Sequence, residues 1–418
     1  MRKKIILSAP LLTRSGYGEQ SRFALRALKS REDLFDIYLR PLEWGKTSWC
    51  QLDDDERAWI DHRIERTIHY VNNGGQFDMS LQVTIPNEWS NMAPVNIGYT
   101  AGIETTKVAH EWITAGNEMD KIIVVSNHSK DVYKDTEYEA FNEQTGEKVL
   151  LKLNTPIDAV NYPVKSYDNL KPLELNLDYD FNFVCVAQMG PRKNLQNTIK
   201  WFLEEFQNDE VGLVIKTNMA KNCQMDREIV HGNLLNTYHT IKGELGELKC
   251  KLYLIHGDMT DEEMHEIYLN EKIKASVLLT HGEGFGLPAF EAAYMGLPVV
   301  ATAWSGQMDF LCDEEGKSHF YNVSYDIQQV PQEVVWESVI IKESMWAYPR
   351  ESSAKEQMRA CYNNLTSDDY DSDKYCEYSE SLKERFEEQK MYKQFVDAMT
   401  LQEYSEDPVQ ESAIIDLD

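Results

Sequence analysis

Short runs of β-branched and aliphatic residues alternate with segments of helical period along most of this chain, the pattern of parallel strands joined by crossover helices. In the first half, residues 4–8 predict a strand, a glycine-bearing loop follows, and an apolar-periodic helix runs over 17–28. Residues 35–39, 95–99 and 121–126 predict three more strands, with Trp112 in the helix between the last two. The second half is more regular. Strands are predicted at 181–187, 211–217, 252–256, 275–280 and 298–303, with helices at 195–206, 226–245, 261–270 and 287–295 between them. Five strands separated by four helices make a complete doubly wound unit.

Between the halves, residues 166–180 are polar, contain Pro172 and show no clear period, which predicts a linker. The expected organisation is an α/β domain over 1–165, the linker, and a second α/β domain over 181–345. A charged helical segment over 346–418 follows and ends in an acidic tail. Open α/β sheets bind ligands beyond the carboxyl ends of their strands, so two such domains face each other across a ligand cleft.

Composition narrows the class. The chain has 418 residues, 42% hydrophobic and 27% charged, which suits a folded protein large enough for more than one core. No apolar run approaches the roughly 20 residues a membrane span needs. The basic start at Arg2, Lys3 and Lys4 is followed by an apolar stretch that stops at Pro10, so it reads as a buried strand rather than a leader. A cytoplasmic protein with no integral membrane segment is expected. Seven cysteines, odd in number and without C-x-x-C spacing, fit neither a zinc site nor a disulfide framework, and Cys185 reads as a small buried hydrophobe. The net charge of −28 opposes generic attraction to phosphate backbones. Much of the acid lies around Ser367 and Asp371 and after Glu403, which leaves room for a local basic cleft.

The strand at 275–280 runs into His281-Gly282-Glu283-Gly284-Phe285-Gly286-Leu287-Pro288, then Ala289-Phe290-Glu291. Pro288 suits a first helical turn, and the three glycines let a ligand approach backbone N–H groups at a positive dipole end. That is an anion site of the kind a diphosphate uses. Glu283 lies at its mouth, and Glu291 leans back toward the helix start. Carboxylates beside phosphate are electrostatically awkward unless they accept hydrogen bonds from sugar hydroxyls. A second loop, Gly190-Pro191-Arg192-Lys193-Asn194, follows the strand at 181–187, and its cations meet the same phosphates because parallel neighbours end at one sheet edge. His256-Gly257-Asp258 either lines a nucleotide base or caps a helix. Trp44, Trp49 and Trp89 either stack on sugar or pack in the core.

These residues resemble the Glu-x7-Glu motif of the retaining family-4 glycosyltransferases, enzymes of the GT-B fold. Glu283 and Glu291 fit the spacing, Gly284-Phe285-Gly286-Leu287-Pro288 matches the usual core, and Gly296 to Ala301 matches the stretch that follows. The resemblance implies two Rossmann-like domains, the first on the acceptor side and the second on the donor side. It implies that Glu291 binds the donor ribose, that Glu283 approaches the donor sugar, and that the amides around Gly284, Phe285, Gly286 and Leu287 hold the diphosphate. Arg192 and Lys193 match the element that neutralises the leaving diphosphate, so Arg192, Lys193 and Glu283 are the expected catalytic residues. A further arginine common about six residues before that lysine is replaced by Ala187-Gln188. More loosely, Gly16 and Gly18 resemble a glycine loop near the donor phosphate. Tyr99, Glu104, Trp112, Asp120 and Ser126 fall in the order of one branch's landmarks, with Tyr99 and Glu104 on the acceptor side. His256 and Gly257 join the expected donor residues. No required cofactor or metal is implied; the nucleoside-diphosphate sugar is a substrate.

Gly16-x-Gly18-x-x-Ser21 also invites a dinucleotide reading, but the spacing from Leu7 is too long for that tight turn and no acid closes the next strand. The expected function is transfer of a sugar to an acceptor hydroxyl with retention. A sugar phosphorylase and a catalytically silent nucleotide-sugar-binding protein are the alternatives. The acceptor stays open among glycan, metabolite, lipid-linked sugar, protein and a hydroxylated base in viral DNA, the last not indicated by net charge.

Overall fold

A computed structural model, which describes residues 2–50, 54–141 and 148–400, arranges the chain around two six-stranded parallel sheets. The first unit runs β1 (Lys3–Ala9), α1 (Gly16–Lys29), β2 (Phe35–Pro41), α2 (Asp55–Asn72), β3 (Met79–Val83), β4 (Val95–Thr100), α3 (His110–Gly116), β5 (Lys121–Val124) and α4 (Asn127–Asp135). A small antiparallel pair, β6 (Tyr138–Phe141) and β7 (Lys148–Leu151), precedes β8 (Ile157–Ala159). The sheet order is β2-β1-β3-β4-β5-β8. Its strands are buried on both faces, which is why Ile5, Leu7, Ile37, Leu81 and Ile97 read as near-continuous aliphatic runs.

The second unit runs β9 (Asn182–Val186), α5 (Leu195–Glu205), β10 (Gly212–Lys216), α6 (Gln224–Leu245), β11 (Lys251–Ile255), α7 (Asp261–Tyr268) and β12 (Ile273–Leu278). It continues through α8 (Leu287–Tyr294), β13 (Val299–Thr302), α9 (Met308–Leu311) and β14 (Tyr321–Val323). Its order, β11-β10-β9-β12-β13-β14, is the doubly wound pattern whose strand order reverses between β9 and β12.

Among the elements that the hydrophobic pattern did not announce, β3 and α2 show the physical reason plainly. Strand β3 lies in the sheet interior yet carries Ser80 and Gln82, which are buried because Ser80 donates to Asn96 Oδ1 and Gln82 pairs with the Ser90 backbone. Helix α2 buries only Ile60 and Thr67, so it shows no apolar stripe.

The stretch after Trp346 departs from expectation at its start. Trp346 lies in β16 (Met345–Pro349), which pairs antiparallel with β15 (Tyr325–Gln329). Three helices follow: α10 (Glu351–Leu365) against α5 and β14, α11 (Asp373–Arg385) against α8, and α12 (Glu388–Met399) against α1. Only α12 crosses to the first sheet, where Phe395 packs edge-on to Phe23 and Tyr99 at centroid distances of 5.3 and 5.0 Å. The predicted acidic tail after Glu403 lies outside the described residues. Among the described residues no helix is long and apolar enough to cross a membrane.

Candidate functional site

Both motif loops leave the second sheet at its switch point. The loop after β9 carries a 3-10 turn, Pro191–Lys193, closed by Asn194 in the left-handed region at φ 53°. The loop after β12 carries His281 to Gly286 and enters α8 through Gly286, whose φ of 101° is one that side chains rarely adopt. The loops are tied together: the His281 N–H donates to Arg192 O at 2.8 Å, and Asn194 Nδ2 donates to Leu279 O at 2.9 Å. Among the described residues the N–H groups of Gly284, Phe285, Gly286 and Leu287 meet no protein acceptor. Buried amides left unpaired at a helix start favour an anion.

Four charged groups converge there. Lys193 Nζ lies 2.7 and 2.9 Å from the two oxygens of Glu283, and Arg192 lies 3.1 Å from Glu283 and 3.3 Å from Glu104. Arg192 also donates to Gly282 O at 2.6 Å. Burial would raise the Glu283 carboxyl, but Lys193 and Arg192 outweigh it and hold it below its usual range. Burial lowers Lys193, with Glu283 opposing and Arg192 reinforcing the shift. The expected catalytic trio is therefore assembled. Glu104, expected on the acceptor side, comes from the first unit and meets Arg192 of the loop after β9.

Glu291 sits in a second cluster. Burial pushes its carboxyl up to about 7; Lys165 opposes the shift, while Asp261 and Glu19 add to it. Lys165, in the segment joining the two sheets, bridges Glu19 of α1 at 2.9 Å and Asp261 of α7 at 2.7 Å. Tyr268 donates toward Glu291 at 3.5 Å.

The glycines behave differently from expectation. A Cβ on Gly284 would stand 2.0 Å from Ala101 O, and one on Gly282 would stand 2.2 Å from Glu104 O. The close approach these positions permit is made by the first unit's own backbone. A Cβ on Gly18 would meet Thr13 O at 1.9 Å, whereas Gly16, at the start of α1, faces open space. Gly257 adopts φ 128°, and its carbonyl accepts from Lys216 at 2.7 Å. The His256 ring is held 2.9 Å from Asp226, so its polar edge is engaged by protein. Tyr99, expected on the acceptor side, is fully buried in the core against Phe395. Phe285 likewise packs its ring against Tyr162, Phe290 and Phe310, leaving only its backbone for a ligand. Trp89 is buried over Gly98, Trp44 packs tilted against Tyr17 at a centroid distance of 4.2 Å, and Trp49 is exposed.

Several contributors went unseen in the sequence. Ser305, at φ 73°, accepts the Glu283 N–H at 2.8 Å, and the Gly306 N–H donates to Glu283 O at 3.0 Å. Ser305-Gly306 just after a strand was the available signal. Asp226 accepts N–H groups from Met219, Ala220 and Lys221 as well as bonding His256, and nothing in the local pattern announced it. His281 stacks on Trp346 at 4.8 Å and exchanges hydrogen bonds with Ala347, fastening β16 to the loop after β12. From the same strand, Met345 exchanges hydrogen bonds with Thr106 of the first unit at 2.9 and 3.0 Å.

Two facing parallel-sheet units with a charged loop pair at the switch point define a GT-B fold. Residues 173–330, which span the second sheet, match the family model of "Glycosyl transferases group 1", so this part of the chain carries the signature of that superfamily. A glycosyltransferase from Rickettsia africae superposes at a TM-score of 0.59 with 12% identity, covering 95% of this chain and 98% of that one. Anabaena HepE, solved in complex with UDP and glucose, superposes at 0.56 with 13% identity, covering 95% and 99%. A point mutant of S. aureus TarM, solved with fondaparinux, alpha-GlcNAc-glycerol and UDP, superposes at 0.47 with 12% identity and covers 77% of this chain, which spans only 55% of TarM. No curated protein sequence matches the chain.

Proposed function

We propose that the chain is a retaining glycosyltransferase that moves a sugar from a nucleoside-diphosphate sugar to an acceptor hydroxyl. One observation carries this reading: Arg192 and Lys193 stand beside the unpaired amides of Gly284, Phe285, Gly286 and Leu287 at a single switch point. As the glycosidic bond breaks, negative charge grows on the leaving diphosphate, and two cations with preorganised amides stabilise it most where charge is greatest. Glu283, fixed by both cations, faces the donor sugar. Glu291, on the first turns of α8, accepts from the ribose hydroxyls. Gly16 at the open start of α1 and Gly257 beside the β11 edge complete the donor lining, while His256 acts through Asp226.

Retention follows if the leaving phosphate takes the acceptor proton on the face it departs from, a route that needs no protein nucleophile. HepE was solved with UDP and glucose, which makes UDP-glucose the first donor to try. The test is a panel of nucleotide sugars scored by thermal shift, followed by donor turnover with the anomeric configuration of the product read by NMR. A donor that stabilises the protein and is turned over with retention is expected. Turnover that requires inorganic phosphate would favour a phosphorylase, and binding without turnover a silent receptor.

A further inference from the structure

Two cations and two carboxylates make the cluster at the donor loop formally neutral: Arg192 and Lys193 against Glu283 and Glu104. A diphosphate entering this neutral, largely buried cluster adds negative charge, so one carboxylate must give way. Glu283 is poorly placed to do so. It is only 7% exposed, holds Lys193 with both oxygens, and is pinned through its own backbone to Ser305 and Gly306.

Glu104 differs on each count. It comes from the other sheet unit, its side chain is 20% exposed, and it meets Arg192 at 3.3 Å. Its backbone stays put: Glu104 O lies over Gly282, and neighbouring Thr106 is bonded twice to Met345. Release therefore requires a side-chain swing and no movement of the loop.

We propose that Glu104 is an internal stand-in for phosphate, a carboxylate supplied by the first unit that holds Arg192 until a diphosphate displaces it. This deepens the donor-site reading and rests on it. The device keeps a part-buried guanidinium compensated when the site is empty, and it sets a threshold that a neutral nucleoside does not pass. Glu104 thus tunes selection for polyanionic donors.

The experiment is calorimetric titration of the full chain with UDP, inorganic pyrophosphate and uridine, comparing wild type with Glu104→Gln and Glu104→Asp. Losing a partly exposed competing charge is expected to tighten UDP and pyrophosphate about fivefold and leave uridine unchanged. Glu104→Asp, one methylene shorter, moves in the same direction and serves if Glu104→Gln does not fold. Wild type that binds UDP with no gain in either variant overturns the stand-in role alone, as does an equal gain for uridine. No binding of either polyanion by all three proteins overturns the donor site together with it.

Discussion

Lys193 Nζ engages both carboxylate oxygens of Glu283, at 2.7 and 2.9 Å, and so joins the loop after β9 to the loop after β12. The pair gives the site a cation that is already oriented and needs no reorganisation when charge develops on a leaving group.

Lys193→Ala is accordingly expected to lower donor turnover by about 100-fold or more, the scale seen when one preorganised charge-stabilising group is lost. Arg192 remains to compensate Glu283, so the fold survives. The check is kcat and donor KM measured together, with hydrolysis as the readout where no acceptor is supplied. A change confined to KM would move Lys193 from turnover to binding.

Glu291 makes a pH prediction. Its folded value near 7 lies above the ordinary 4.5, so the folded chain holds a proton that the unfolded chain releases. Its contribution to stability is present at low pH and fades as pH rises from about 4.5 to about 7. Glu291→Gln removes that slope, leaving the variant more stable than wild type at pH 8 by roughly 1–2 kcal/mol, the full shift being reduced by solvent screening of this part-exposed side chain, and near parity at pH 5. Function moves the other way. The ionised carboxylate is the better acceptor for ribose hydroxyls, so wild-type affinity for UDP-glucose rises with pH through about 7. In Glu291→Gln that affinity is weaker and flat. Urea melts and titrations at several pH values read both.

How much of this was legible beforehand follows from what each residue contacts. Glu283, Arg192 and Lys193 could be named because their partners lie in two loops at one sheet edge, and strand order fixes that proximity. Glu104 could be named but not placed, because its partner belongs to the other sheet unit and no periodicity encodes how the two units meet. Lys165 stands just before the expected linker, and nothing near it in sequence marks it, since Glu19 and Asp261 are far away along the chain. Strand β3 was hidden by Ser80 and Gln82, polar groups whose cost is met by Asn96 and Ser90. Tyr99 was named only through the resemblance, and its burial could not be read locally because α12 covers it from a distant part of the chain.

The glycines make a packing prediction. Ala101 O is a backbone atom and cannot swing aside, so Gly284→Ala must push the first unit's loop away from the donor loop. Donor turnover is expected to fall by more than about tenfold because closure no longer excludes water. UDP binding, carried mainly by the second unit, weakens less. Gly306→Ala is the companion variant, since its Cβ would stand 2.0 Å from Gly284 O. Small-angle scattering reads the opening as an increased radius of gyration, and an unchanged profile with intact turnover would refute it.

Lys165 carries the last prediction, because one ammonium answers to three carboxylates. It contacts Glu19 and Asp261 directly, and it is the cation that restrains Glu291. Burial would lower the Lys165 pKa, but Glu19 and Asp261 outweigh it and hold the value well above the ordinary range. The side chain is 21% exposed, so solvent screens part of this interaction. Lys165→Met keeps the aliphatic stem and removes the charge, leaving Glu19 with Arg22 and Asp261 without its bridge. A loss of about 2 kcal/mol in urea unfolding is expected, less than the removal of one partner from a fully buried pair. The Glu291 carboxyl then rises further, moving the pH dependence of UDP-glucose binding upward. Adding Glu19→Gln to Lys165→Met returns part of the stability and moves that dependence part of the way back, because Glu19 also raises the Glu291 carboxyl. A double variant with the same pH profile as Lys165→Met would refute the coupling of Glu19 to Glu291.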